Sequence, residues 1–130
     1  MNPSAYILFR TASFLAMLAV IIGAFGAHGL EGKLNPDQLR TFETAVKYHF
    51  YHTFAVFIAA FLCQSYPSKW LFRAGIGFVL GIVLFSGSLY LMACKNLLGI
   101  ESWSWLGPIT PLGGLCFILS WTGLFFARKM

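Results

Sequence analysis

A chain of 130 residues with 58% hydrophobic and only 10% charged side chains, at a mean hydropathy of +0.75, carries too few polar groups to cover a globule in water. An ordinary soluble domain is excluded, and lipid is its expected solvent and partner. The formal charge of +5 comes from nine Lys and Arg spread singly between apolar runs, with no basic patch, which excludes nucleic acid as a partner.

Residues 11–30 follow Arg10 without a charge, about 30 Å of helix and enough to cross a bilayer core. A signal peptide can imitate this run, with a lone basic residue, an apolar core and then Ala24 to Ala27; we read it as a retained span. Within it Ala12, Ala16, Ala19, Gly23 and Gly26 recur at steps of four and three, a small-residue seam on which another helix can sit closely. Three glycines, Gly23, Gly26 and Gly29, weaken its end, where His28 lies.

The next stretch is polar, and Glu31, Lys33, Asp37, Arg40, Glu43 and Lys47 cancel in charge. Asn35 as N-cap, Pro36 at the first helical position and Asp37 in the first turn predict a helix start. Leu39, Phe42 and Val46 give it an apolar side. The expectation is an amphipathic surface segment over about 36–47, continuing without a break into a second span over about 45–64. Pro67 stops that helix, and 65–73 is expected to be a turn. A third uncharged run covers 74–93, with Ala74, Gly77, Gly81 and Ser88 in register, and Ser86, Ser88 and Tyr90 bring three hydroxyls close together. A loop with Trp103 and Trp105, residues suited to the headgroup boundary, leads to a fourth span over about 108–127. That span carries a second seam: Thr110, Gly113, Cys116, Ser120, Gly123 and Ala127.

These elements make one domain, 1–130, of the all-α class: a four-transmembrane-helix bundle. The seams repeat every 3.5 residues, the period of a left-handed crossing. They can close the monomer or build a homo-oligomer. Four spans put both termini on one side. That side holds Arg10, Lys69, Arg73, Arg128 and Lys129 against Lys33, Arg40, Lys47 and Lys95, and all four acidic residues lie opposite, so both termini are expected to be cytoplasmic.

Counting from the outer end of each span puts His28, His52, Ser88 and Thr110 in a layer about 8 Å deep. Ala45, His52, Ala55 and Ala59 share a face, so His52 points into the bundle. Imidazole in hydrocarbon needs a partner. One reading is structural, with His52 donating to Ser88 or Tyr90 and His28 capping a helix end. The alternative is an outward-facing polar pocket that binds or transports a lipid headgroup, a proton or a small solute. A metal-dependent enzyme comes third. His28, His49 and His52 could supply three nitrogens, but no carboxylate is placed to orient a ligand or act as base, and no cofactor is expected. Ser and Cys hydrolysis is disfavoured, since no Ser or Cys has a His and an acid at its depth. Cys63, Cys94 and Cys116, odd in number and without CxxC spacing, read as packing residues.

Gly23-Ala-Phe-Gly-Ala-His28, Thr44-Ala-Val-Lys-Tyr48 with His52, Phe85-Ser-Gly-Ser-Leu-Tyr90 and Thr110-Pro-Leu-Gly-Gly114 occur in order along nearly the whole chain. In these blocks it resembles the YgdD-like (transmembrane protein 256-like) family of small membrane proteins. The resemblance implies a four-span inner-membrane protein of a family without an established biochemical role. By position it makes His28, Tyr48, His52, Ser86, Ser88 and Tyr90 motif residues, with Thr110 added by depth. The chain departs at His49, where the family often has glutamine. That departure weakens the three-histidine metal idea and leaves His28 and His52 as the better pair. The reading taken forward is a non-catalytic structural or membrane-homeostasis protein.

Overall fold

The computed structural model describes residues 1–127; Arg128 and Lys129, used in the charge argument, lie outside the described residues. Those described form helices and connections only, without a strand. Four helical rods are long and apolar enough to cross a membrane: Pro3–His28, Pro36–Ser65, Lys69–Ala93 and Leu106–Phe125.

Helix α1 (Pro3–His28) begins eight residues earlier than the run from residue 11 suggests. The Asn2 side chain accepts from the Ala5 N–H at 2.9 Å and Pro3 fills a first-turn position where no N–H is needed. Arg10 therefore sits on the helix, its guanidinium 5.6 Å from the centre of the Tyr6 ring. Helix α2 (Pro36–Ser65) starts with a capping box: the Gln38 N–H donates to Asn35 Oδ1 at 2.8 Å, and the Asn35 N–H donates to Gln38 Oε1 at 3.1 Å. It runs unbroken for 30 residues, about 45 Å, since no Gly or Pro interrupts it after Pro36.

The apolar side of 36–47 is thus continuous with the buried face below it. Phe42 packs on Gly26 of α1 and joins Leu30 and Ala93 in a small buried cluster with Tyr90 at its edge. This part of α2 is one wall of the bundle at the C-terminal end of α1, and only its polar side is free, as Asp37, Arg40, Glu43 and Lys47 show by their exposure.

The turn after α2 is shorter than 65–73. Ser68 accepts from the Trp70 N–H at 3.2 Å and starts helix α3 (Lys69–Gly81), leaving three residues between helices. A π-helical turn (Ile82–Ser86) interrupts the third rod before helix α4 (Gly87–Ala93) completes it. Helix α5 (Lys95–Leu98) is one turn, closed by Gly99 at φ 66°, a left-handed position that glycine adopts freely. Helix α6 (Leu106–Phe125) closes the fold.

Antiparallel hairpins are the unit of packing. α1 lies along α2, α6 lies along α3 and α4, and α2 joins the two hairpins through α3, the π-turn and α4. Each small-residue seam is used inside the chain by its own hairpin. Ala12, Ala19 and Gly26 are buried on the α2 side of α1. On the other hairpin, Gly77 meets Ser120, Gly81 meets the Phe117 ring, and Gly113 meets the backbone of Leu84 and Phe85. Close backbone approach is the reason for glycine at 113. In lipid, where apolar burial gives helices little net drive to associate, such packing and interhelix hydrogen bonds hold them together.

Candidate functional site

Six polar contacts among the described residues tie one helix to another, the Asn2 N–H donating to Gln64 Oε1 at 2.8 Å among them, and they start from local geometry. Ser86 ends the π-turn and its hydroxyl, fully buried, donates to the Ala45 carbonyl of α2 at 2.8 Å. Ser88, half a turn further, shares a 2.6 Å bond with Thr110 of α6. The Tyr90 hydroxyl reaches back along α4 to His49 Nδ1 on α2 at 2.9 Å. At the opposite end, the Asn2 amide donates to the Cys63 carbonyl at 2.8 Å, and Trp70 Nε1–H donates to the Gly123 carbonyl at 2.9 Å.

The serine, tyrosine and threonine candidates therefore do meet neighbouring helices, but His52 is not their hub. His52 Nδ1 lies 2.7 Å from the carbonyl of Tyr48 on its own helix; a carbonyl only accepts, so Nδ1 carries the proton. The His52 ring lies flat on Phe117, with centres 3.5 Å apart and planes 8° apart, between Phe78 and Trp121. The expected bond to Ser88 or Tyr90 fails on depth: Ala45 stands level with Ser86, and His52 is seven residues further on, about 10 Å lower. Tyr48 is 39% exposed and packs its ring on Phe85, centres 4.7 Å apart.

His28 is displaced further. In an antiparallel pair, residue numbers at one level have a near-constant sum, and Asn2 with Gln64 gives 66 while Gly26 with Phe42 gives 68. His28 thus stands level with about residue 40, twelve residues above His52, or about 18 Å. It is the exposed last residue of α1. The 8 Å layer and the His28–His52 pair do not form, because equating the outer ends of the spans left out the first nine residues of α2. No group of three or more His, Cys, Asp and Glu placed to hold a metal occurs among the described residues, so His28, His49 and His52 do not converge. None of the described cavities is bordered by His28 or His52.

His49, the residue that departs from the resemblance, is instead the histidine that bridges helices. It is 3% exposed; Nδ1 meets Tyr90, and Nε2 is buried without a hydrogen-bond partner. Sequence reading also missed Asn2 and Trp70. Asn2-Pro3 repeats the Asn35-Pro36 start signal, so Asn2 was findable; nothing in the sequence points Trp70 at Gly123.

Together the fold and these contacts define an integral membrane protein, a four-helix bundle in which three of the six buried polar side chains, His49, Ser86 and Ser88, tie one helix to another. The chain belongs to the family described as "Protein of unknown function (DUF423)", whose profile matches residues 22–114. It is 46% identical over 114 residues to the UPF0382 membrane protein YwdK of Bacillus subtilis, covering 82% of each chain. It is 43% identical over 107 residues to the UPF0382 membrane protein SH2409 of Staphylococcus haemolyticus, covering 81% of this chain and 80% of that one. With the UPF0382 inner membrane protein YgdD of Escherichia coli K12 the identity is 34% over 110 residues, covering 85% and 79%. No solved structure matches it.

Proposed function

We propose that this protein is a non-catalytic structural element of the bacterial inner membrane, contributing to membrane homeostasis, with both termini in the cytoplasm. The observation that carries the reading is the use of the buried polar groups. Ser86, Ser88, Tyr90 and Thr110 each reach another helix, and the Thr53 hydroxyl returns to the His49 carbonyl at 2.8 Å. A network spent on its own helices specifies which neighbours meet and leaves few polar atoms for chemistry on a substrate. The location is supported by the name of the Escherichia coli relative, and the orientation by the sequence count of five Lys and Arg on the side of the termini against four on the other, where all four acidic residues lie.

Two experiments test this. Single cysteines at Ser68 and Ser102, in a chain whose three native cysteines are replaced by alanine, are probed with an impermeant thiol reagent on spheroplasts. Ser102→Cys is expected to react from outside and Ser68→Cys only after permeabilisation; the reverse pattern removes the orientation. In a deletion strain, inner-membrane leakiness to a small chromogenic sugar is expected to rise. Both the wild-type chain and the doubly apolar His49→Phe/Tyr90→Phe chain should restore it. A double variant that folds and inserts normally yet fails to restore the barrier would show that these groups do more than hold helices.

A further inference from the structure

At the end of the bundle opposite Asn2, the first turns of α2, the end of α4, α5 and the start of α6 surround a cavity of about 740 Å³. Its walls collect charges of both signs from distant parts of the chain: Asp37 from α2, Lys95 from α5 and Glu101 from the following loop, with Trp103 beside them. A second space of about 470 Å³ is a groove between α4 and α6, bordered by Leu84, Tyr90, Leu91 and Ile109. The two share Leu106 as a wall. Gly87 borders the groove, and a Cβ added there would enter open space, with nothing within 4 Å. Both volumes fall within the roughly 300–1,000 Å³ of small-molecule sites.

The chemistry of the rim selects for a zwitterion. A lysine ammonium draws a phosphate, whereas carboxylates and an indole face draw an ammonium that can donate several hydrogen bonds. A free solute would use the rim alone. An occupant with both charges on a short link and a hydrocarbon tail uses the groove as well, and tryptophan marks this depth as the headgroup boundary.

We propose that the rim cavity and the α4–α6 groove together bind one phospholipid with a zwitterionic ethanolamine-type headgroup. Lys95 holds its phosphate, Asp37, Glu101 and Trp103 hold its ammonium, and one acyl chain runs along the groove past Gly87. This goes beyond the structural role above and does not depend on it.

The full chain, reconstituted in nanodiscs of equal phosphatidylethanolamine and phosphatidylglycerol and then released for native mass spectrometry, provides the test. The expected result is one phosphatidylethanolamine retained per chain, about tenfold over phosphatidylglycerol, the worth of one charge-assisted contact. Gly87→Leu fills the groove and should cut retention by a similar factor at an unchanged thermal midpoint. Lys95→Glu, at an exposed position, should do the same and serves if the glycine variant fails to fold. Millimolar glycerophosphoethanolamine, which has the headgroup without chains, should leave the lipid in place. Equal retention of the two lipids, a preference for phosphatidylglycerol, retention unchanged in both variants, or displacement by the soluble headgroup each overturns the proposal.

Discussion

Replacing Tyr90 with phenylalanine removes one oxygen and leaves the ring where it packs on Phe42, centres 5.3 Å apart. The direct loss is the interhelix bond to His49, worth about 0.6 kcal/mol on average in a bilayer and up to about 1.7. The greater cost lies in the histidine left behind. At 3% exposure His49 would hold two ring nitrogens without a good partner, since Nε2 already lacks one, and an orphaned buried polar group costs about 1–3 kcal/mol. Tyr90→Phe is therefore expected to lose about 1–3 kcal/mol in a dodecyl-sulfate titration from mixed micelles, followed by tryptophan fluorescence. The double variant His49→Phe/Tyr90→Phe removes both polar groups and should recover most of that loss, giving a cycle with a coupling of about 1 kcal/mol or more. If Tyr90→Phe unfolds within about 0.3 kcal/mol of the wild type, or the double variant is no better than the worse single one, the His49–Tyr90 bond does not hold the helices.

Gly113→Ala drives a Cβ into the backbone of Leu84 and Phe85, so it should cost at least about 1–3 kcal/mol in the same titration, whereas Gly114→Ala, whose Cβ makes ordinary contact with the Phe85 ring, should be neutral or slightly stabilising. Ser86→Ala should lose only about 0.6–1.7 kcal/mol, because the Ala45 carbonyl keeps its helical partner and is not orphaned. His52→Phe keeps the stack on Phe117 and should stay within about 1 kcal/mol of wild type, while His52→Ala loses roughly 3 kcal/mol; if His52→Gln rescues better than His52→Phe, the ring is held by a polar bond instead. His28→Ala, at the exposed end of α1, should leave thermal stability in detergent unchanged.

The start of α2 shows how much local chemistry says by itself. Asn35, Pro36 and Gln38 are adjacent, so their cap depends on neighbours in sequence, and the structure forms it. Asn2-Pro3 carries the same chemistry, yet counting the first span from the last charge, Arg10, started it at residue 11. Ser68 likewise shortens the turn expected from Pro67 alone. The π-turn at Ile82–Ser86 has no such local mark; the backbone of Phe85 lies against Gly113 of another helix.

Four apolar rods, their order, the seams of small residues and residence in a membrane were decided by the sequence alone, since length, hydropathy and spacing along one helix are properties of one segment. Which polar group meets which was decided only in three dimensions. His28, His49 and His52 look alike as letters, but the axial offset between α1 and α2, set by Phe42 seating on Gly26 and Asn2 on Gln64, puts one at the rim, one on Tyr90 and one on Phe117. Helices slide along one another until large side chains find small ones, and that fit between distant segments sets the level of every polar atom.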